Sequence, residues 1–118
     1  MPEEQTHLSV KDSGGVQVVE FADRKILDEL SIAEITEELG QIVQRMKQVK
    51  LLLNFKNVEH LSSAALSMLI TLNKQVNERK GVLKLSDIAP PIYEVFKITR
   101  LNKLFSVYGT AAEALADF

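Results

Sequence analysis

The sequence predicts one mixed α/β domain spanning residues 1–118, with element order ββαβαβαβα. Three observations carry this reading. Short apolar runs alternate with longer segments of helical periodicity, which argues for parallel strands joined by helical crossovers. The run Leu51-Leu52-Leu53-Asn54-Phe55 is too short for a helix and almost wholly apolar, as a strand buried on both faces should be. A tight turn, Asp12-Ser13-Gly14-Gly15, joins the first two strand candidates into a hairpin.

Each element has its own local justification. Leu8-Ser9-Val10 is the first strand, and Val16 to Phe21 the second. Ser31-Ile32-Ala33-Glu34 matches a capping box, Ser at the cap and Glu three residues on. The helix that follows carries Ile35, Leu39, Ile42, Val43 and Met46 at helical spacing, with Glu37, Glu38, Gln41, Gln44 and Arg45 on its other face. After the strand at residues 51–55, a second helix runs to Lys80-Gly81, where Gly81 serves as the C′ stop. Its core side is Ala65, Leu69, Leu72 and Val76, widened by Leu66 and Ile70. Val82 to Ser86 is the next strand. Pro90 and Pro91 suit the first turn of a short helix reaching Ile98. Leu104 to Tyr108 is the last strand, and Thr110-Ala111-Ala112-Glu113 a second capping box that opens a terminal helix.

Composition narrows the function classes. Hydrophobic residues make up 46% and charged residues 25%, ordinary for a globular chain. There is no cysteine, so neither a disulfide framework nor a thiolate metal site is available. The net charge of −2 lacks the basic excess of a nucleic-acid binder. No apolar run approaches the ~20 residues that cross a bilayer, and Met1 to Thr6 is polar and acidic, unlike a signal peptide. The expectation is a soluble cytoplasmic protein.

The most informative stretch is His60-Leu61-Ser62-Ser63-Ala64-Ala65-Leu66-Ser67-Met68-Leu69, at the start of the second helix. One serine suffices for a cap. Ser63, Ser67, Thr71, Lys74 and Glu78 form a polar stripe, so Ser63 stands at the solvent end of a polar helix face. The positions three after Ser62 and Ser63 are Ala65 and Leu66, so no carboxylate closes this helix start. Its amides and positive dipole end remain open to an outside anion. A phosphate on Ser63 would be tolerated there and would change the surface a partner reads. The plainer reading is that Ser62 caps the helix and Ser63 is a small polar residue of its first turn.

The run LLLNFKNVEHLSSAALSMLITLNKQV resembles the central segment of STAS domains, the anti-anti-sigma factor family, and IYEVFKITRLNKLFSVYGTAAEALADF resembles that family's ending. Together with the element order, the likeness covers nearly the whole chain. Switched members usually read Asp, Ser, Ser or Thr, Gly, Leu; the corresponding residues here are Ser62, Ser63, Ala64, Ala65 and Leu66. A second departure is FADRKILDELS, where members often carry a Gly-x-Leu-Asp-like turn.

The resemblance implies a STAS-like mixed sheet with packed helices and a binding protein rather than an enzyme. Its partner would be an anti-sigma factor that is also a serine kinase, captured so that a sigma factor is released. Ser63 would be the phosphoacceptor. Asp23, Arg24, Lys25, His60, Ser62, Ser63, Ala64 and Ser67 would form the partner surface. No cofactor, direct nucleic-acid contact or membrane insertion is implied. The alternative is an interaction module that is not phosphorylated, in a stressosome-like assembly or as a transport regulator.

Rival sites are thinner. A His60/Ser63 nucleophile pair lacks the glycines of a strained hydrolase elbow and an orienting Asp. The only histidines are His7 and His60, with no carboxylates at ligand spacing around either. Lys97, Arg100 and Lys103, three apart, read as a solvated surface at a helix end or as a contact for an acidic partner. Asn54 interrupts its strand to pair with a neighbouring backbone group.

Overall fold

A computed structural model gives the fold, which is described for residues 7–118. The polar stretch of residues 1–6 lies outside the described residues.

Strands β1 (Leu8–Ser13) and β2 (Val16–Phe21) form the antiparallel hairpin, paired from Leu8↔Phe21 to Ser13↔Val16. Gly14 and Gly15 have φ of 59° and 90°, so both central turn positions need the left-handed freedom of glycine. Strands β4 (Lys50–Asn54), β6 (Val82–Ser86) and β7 (Ser106–Tyr108) continue the sheet in parallel, giving the order β1-β2-β4-β6-β7. Each parallel pair is bridged by helical crossover: α1 (Glu29–Arg45), α2 (Ser63–Glu78), and then α3 (Pro90–Ile98) with α4 (Leu101–Leu104). These helices share the main core with Val19, Phe21, Leu51, Leu53 and Leu85 of the sheet. The last helix, α5 (Ala111–Ala116), covers the opposite face, where Val16, Leu52 and Ala114 pack together. Strand β4 is therefore buried on both sides, and Leu51, Leu52 and Leu53 are all fully buried. Beneath α5, the buried Lys84 Nζ donates to the Asp117 carbonyl at 2.6 Å and lies over the Tyr108 and Phe118 rings.

Five local expectations are revised. The first helix starts three residues earlier than its Ser31-Glu34 box suggests. Asp28 is the cap, its carboxylate accepting from Ser31 N at 2.9 Å. A charged acceptor is the better ligand for amides at a helix's positive end. Glu34 is thereby left to bond elsewhere. Gly81 is not the left-handed stop; Lys80 is, at φ 56°, with the paired Lys80 N to Asn77 O and Gly81 N to Val76 O bonds of a Schellman motif. Gly81 is required for proximity instead, because a Cβ there would lie 2.5 Å from Val49 Cβ and 2.6 Å from its carbonyl oxygen. Strand β7 begins at Ser106, since Leu101 to Leu104 forms a helical turn that buries Leu101. Ile70, expected to widen the core face of α2, is exposed. Finally, a two-stranded parallel ribbon, β3 (Lys25–Ile26) with β5 (His60–Leu61), stands apart from the main sheet.

Candidate functional site

The ribbon β3–β5 positions the start of α2. The Arg24 carbonyl accepts from Glu59 N at 2.7 Å and His60 N at 3.1 Å, Lys25 lies opposite His60, and Ile26 lies opposite Leu61. The next amide, Ser62 N, donates to Ile26 O at 3.1 Å. Main-chain bonds thus bring Arg24 and Lys25 beside His60 and Ser62, across some 35 residues of intervening chain, with Asp23 and Ser63 next to them in sequence. The Arg24 guanidinium adds an exposed pair with Glu59 at 3.3 Å.

The two serines divide the work. Ser62 has extended backbone and its Oγ accepts from Ala65 N at 3.1 Å, while its carbonyl accepts from Leu66 N. Every polar group of Ser62 is therefore committed to the helix start or to β3. Ser63 is the first residue of α2, is exposed, and its hydroxyl makes no hydrogen bond among the described residues. Ala64 and Ser67 are exposed beside it. The first turn holds no acidic residue, whereas α1 and α5 carry Glu29 and Glu113 there. The amides of Ser63 and Ala64 have no acceptor among the described residues. An oxyanion at Ser63 Oγ would face these amides and the positive pole of a 16-residue helix.

Apolar surface is exposed at the element starts near this helix. A groove of about 150 Å³ runs between the starts of α2 and α3, lined by His60, Leu61, Leu66, Pro91 and Val95. Leu27 and Leu30 are exposed at the entry to α1, just after β3. His60 is exposed and makes no hydrogen bond to Ser63 among the described residues, so no base is aligned on that hydroxyl.

One cluster next to the site escapes sequence reading. The His7 ring is buried, with Nδ1 2.7 Å from Asp23 Oδ2 and Nε2 2.6 Å from Glu34 Oε1. Both carboxylates come from 16 and 27 residues away, so sequence spacing around His7 gives no sign of them. Burial by itself lowers the imidazole pKa. The hydrogen bonds and charges of Glu34 and Asp23 outweigh burial and raise it. Asp23 is thus an anchored residue, tying the β2–β3 connection to α1. Nearby Glu38 is pushed up, chiefly by its own burial.

Lys97 on α3, Arg100 in the turn that follows and Lys103 on α4 are all exposed, and Lys97 pairs with Glu94 at 3.2 Å. Asn54 behaves as expected, its Oδ1 accepting from Lys56 N at 2.9 Å.

The model of the STAS domain matches residues 7–114. The chain belongs to the STAS domain family. Among curated relatives, it is 22% identical over 103 residues to an anti-sigma F factor antagonist of Paenibacillus polymyxa, covering 87% of this chain and 86% of that one. Among solved structures, it is similar to a STAS domain protein from Planctomyces limnophilus, at 24% identity and a TM-score of 0.85, covering 93% and 96% of the two chains. It is also similar to an anti-sigma factor antagonist from Mycobacterium paratuberculosis, at 24% identity and a TM-score of 0.80, covering 93% and 91%. The mixed sheet with packed helices is thus the STAS fold. No helix among the described residues is long and apolar enough to cross a membrane.

Proposed function

We propose that this STAS domain is an anti-sigma factor antagonist that works by reversible protein binding at the start of α2. Its partner is an anti-sigma factor with serine kinase activity in the cytoplasm. The free domain captures that partner, and transfer of a phosphoryl group from ATP to Ser63 Oγ ends the capture. Ser63 is then a substrate for the partner's chemistry, and the domain needs no catalytic group of its own. The names of its relatives favour the antagonist role. The observation that carries the switch is the pairing of a committed Ser62 with a free, exposed Ser63 at a helix start without an internal carboxylate.

The contact surface in this reading is Ser63 with Ala64 and Ser67 on α2, Ser62 and His60 before it, and Asp23, Arg24 and Lys25 across the ribbon. Asp23 acts through its bond to His7, which holds that segment in place. A second reading, an interaction module without phosphorylation, is favoured by Ser62 and Ala65 standing where switched members carry Asp and Gly.

Incubation with the candidate kinase and ATP, followed by intact-mass measurement, tests the switch. The expected result is the mass gain of one phosphate, absent from Ser63→Ala. Stable capture with no mass gain would sink the switch and favour the second reading.

A further inference from the structure

Among the described residues, the two most exposed large apolar side chains are Leu30 at 68% and Ile98 at 78%, and they stand in regions of opposite charge. Leu30 lies in the first turn of α1, next to Leu27, itself 48% exposed. Residues 28–44 contain Asp28, Glu29, Glu34, Glu37 and Glu38 and no lysine or arginine. Leu30, Glu34 and Glu37 follow one another at four- and three-residue spacing, along one helix face. Ile98 ends α3, followed by Leu104 at 47% exposed on α4. Residues 95–112 contain Lys97, Arg100 and Lys103 and no aspartate or glutamate.

Some of these charges are already engaged. Asp28 caps α1, Glu34 holds His7, and Lys97 pairs with Glu94. Near the acidic end, Arg24 is taken up by Glu59, while Lys25 stands exposed. Glu29, Glu37, Arg100 and Lys103 make no ion pair among the described residues.

The topology sets the two surfaces at opposite ends. Strands β2, β4, β6 and β7 are parallel, so α1 starts at their carboxyl ends, whereas α3 and α4 finish at the amino end of β7. They also belong to different crossovers, β2 to β4 and β6 to β7. Two complementary surfaces so placed cannot satisfy each other within one copy. Between copies they make a heterologous contact.

We propose that this chain associates head to tail with itself. The acid-rimmed Leu27/Leu30 surface of one copy seats against the base-rimmed Ile98/Leu104 surface of the next. A second copy is the occupant because it alone brings, from the residues in hand, both the apolar knobs and the opposite charge. The inference does not depend on the Ser63 reading. It has a bearing on it, since the α1 entry follows β3 directly and β3 holds the Ser62 amide.

Sedimentation velocity over a wide concentration series tests the proposal with two variants, Leu30→Arg and Ile98→Asp. Both positions are exposed, and circular dichroism checks that each variant folds. The full chain should associate, less so at high salt. Each variant alone should associate at least about tenfold more weakly. An equimolar mixture should restore a one-to-one complex and nothing larger, because one intact head then meets one intact tail. A full chain that stays monomeric throughout overturns the proposal. So does a mixture that fails to complement, or loss of association in one variant while the other associates as the full chain does, which marks a twofold contact through a single patch. Binding of phosphatidylglycerol vesicles by a monomeric chain, abolished by Ile98→Asp, overturns it in favour of a membrane surface.

Discussion

Ser62 N donates to Ile26 O at 3.1 Å, and through this bond the last residue of β3 holds the cap of α2. The bond explains why a two-residue ribbon outside the main sheet matters to the site. It fixes the approach of the chain to α2, so that Ser62 turns its hydroxyl inward to Ala65 N while Ser63 is left facing water.

Adjacent serines should therefore respond differently to truncation. Ser62→Ala removes the cap and should cost about 1 kcal/mol of stability. Ser63→Ala, at an exposed first-turn position, should change stability by less than about 0.5 kcal/mol. Urea denaturation of the two variants checks this, and equal losses would show that the cap assignment is wrong.

Capture should show the reverse ranking. In the proposed function, Ser63→Asp places a charge where the phosphate would sit and should weaken binding to the anti-sigma partner at least about tenfold. Ser63→Ala should remain a constitutive binder. Titration calorimetry against the purified partner distinguishes them; equal affinities would refute a charge-operated switch.

Neighbouring residues at the end of α2 should give opposite signs. Lys80 occupies a left-handed conformation, so Lys80→Gly relieves strain and should stabilise by up to about 1 kcal/mol. Gly81→Ala forces a methyl group into Val49 and should destabilise by about 1–3 kcal/mol. Thermal melts of both variants suffice as the test.

The His7 cluster predicts a pH dependence with a definite sign. The raised pKa means that the folded chain holds the imidazole proton more tightly than the unfolded chain. Its contribution is complete below the ordinary histidine value of about 6.5. It is lost as pH rises through the folded value. Stability should fall over that interval, and His7→Phe should flatten the slope. Denaturation midpoints from mildly acidic to mildly alkaline pH provide the measurement. A wild-type midpoint that rises across the same window would contradict the ion-paired assignment.

The main elements were legible because their patterns are long enough to carry a period. Helical spacing marks Ile35 to Val43 in α1 and Ala65 to Val76 in α2, and the Leu51–Leu53 run announces a strand covered on both faces. The division between Ser62 and Ser63 was legible too, since a cap must precede the first apolar residue of the helix face. Strands β3 and β5 were not, because two residues are fewer than any periodicity needs. The start of α1 is ambiguous in sequence because Asp28 and Ser31 are both cap residues one turn apart, and it is the Asp28 carboxylate that takes the Ser31 amide. The roles of Lys80 and Gly81 differ by a tertiary approach of Val49 that no local spacing encodes. For the same reason the contacts of His7 with Asp23 and Glu34 left no trace in sequence spacing.

The sheet ends on β7, only three residues long, at one margin and on β1, with Ser9, Lys11 and Asp12 exposed, at the other. A visiting strand finds too few free amides at the first and a charged fringe at the second. Growth by ribbon addition is thereby discouraged at both borders. Neighbouring molecules must then meet through side chains on helices, where a single substitution or a single added charge can loosen the contact without loosening the fold.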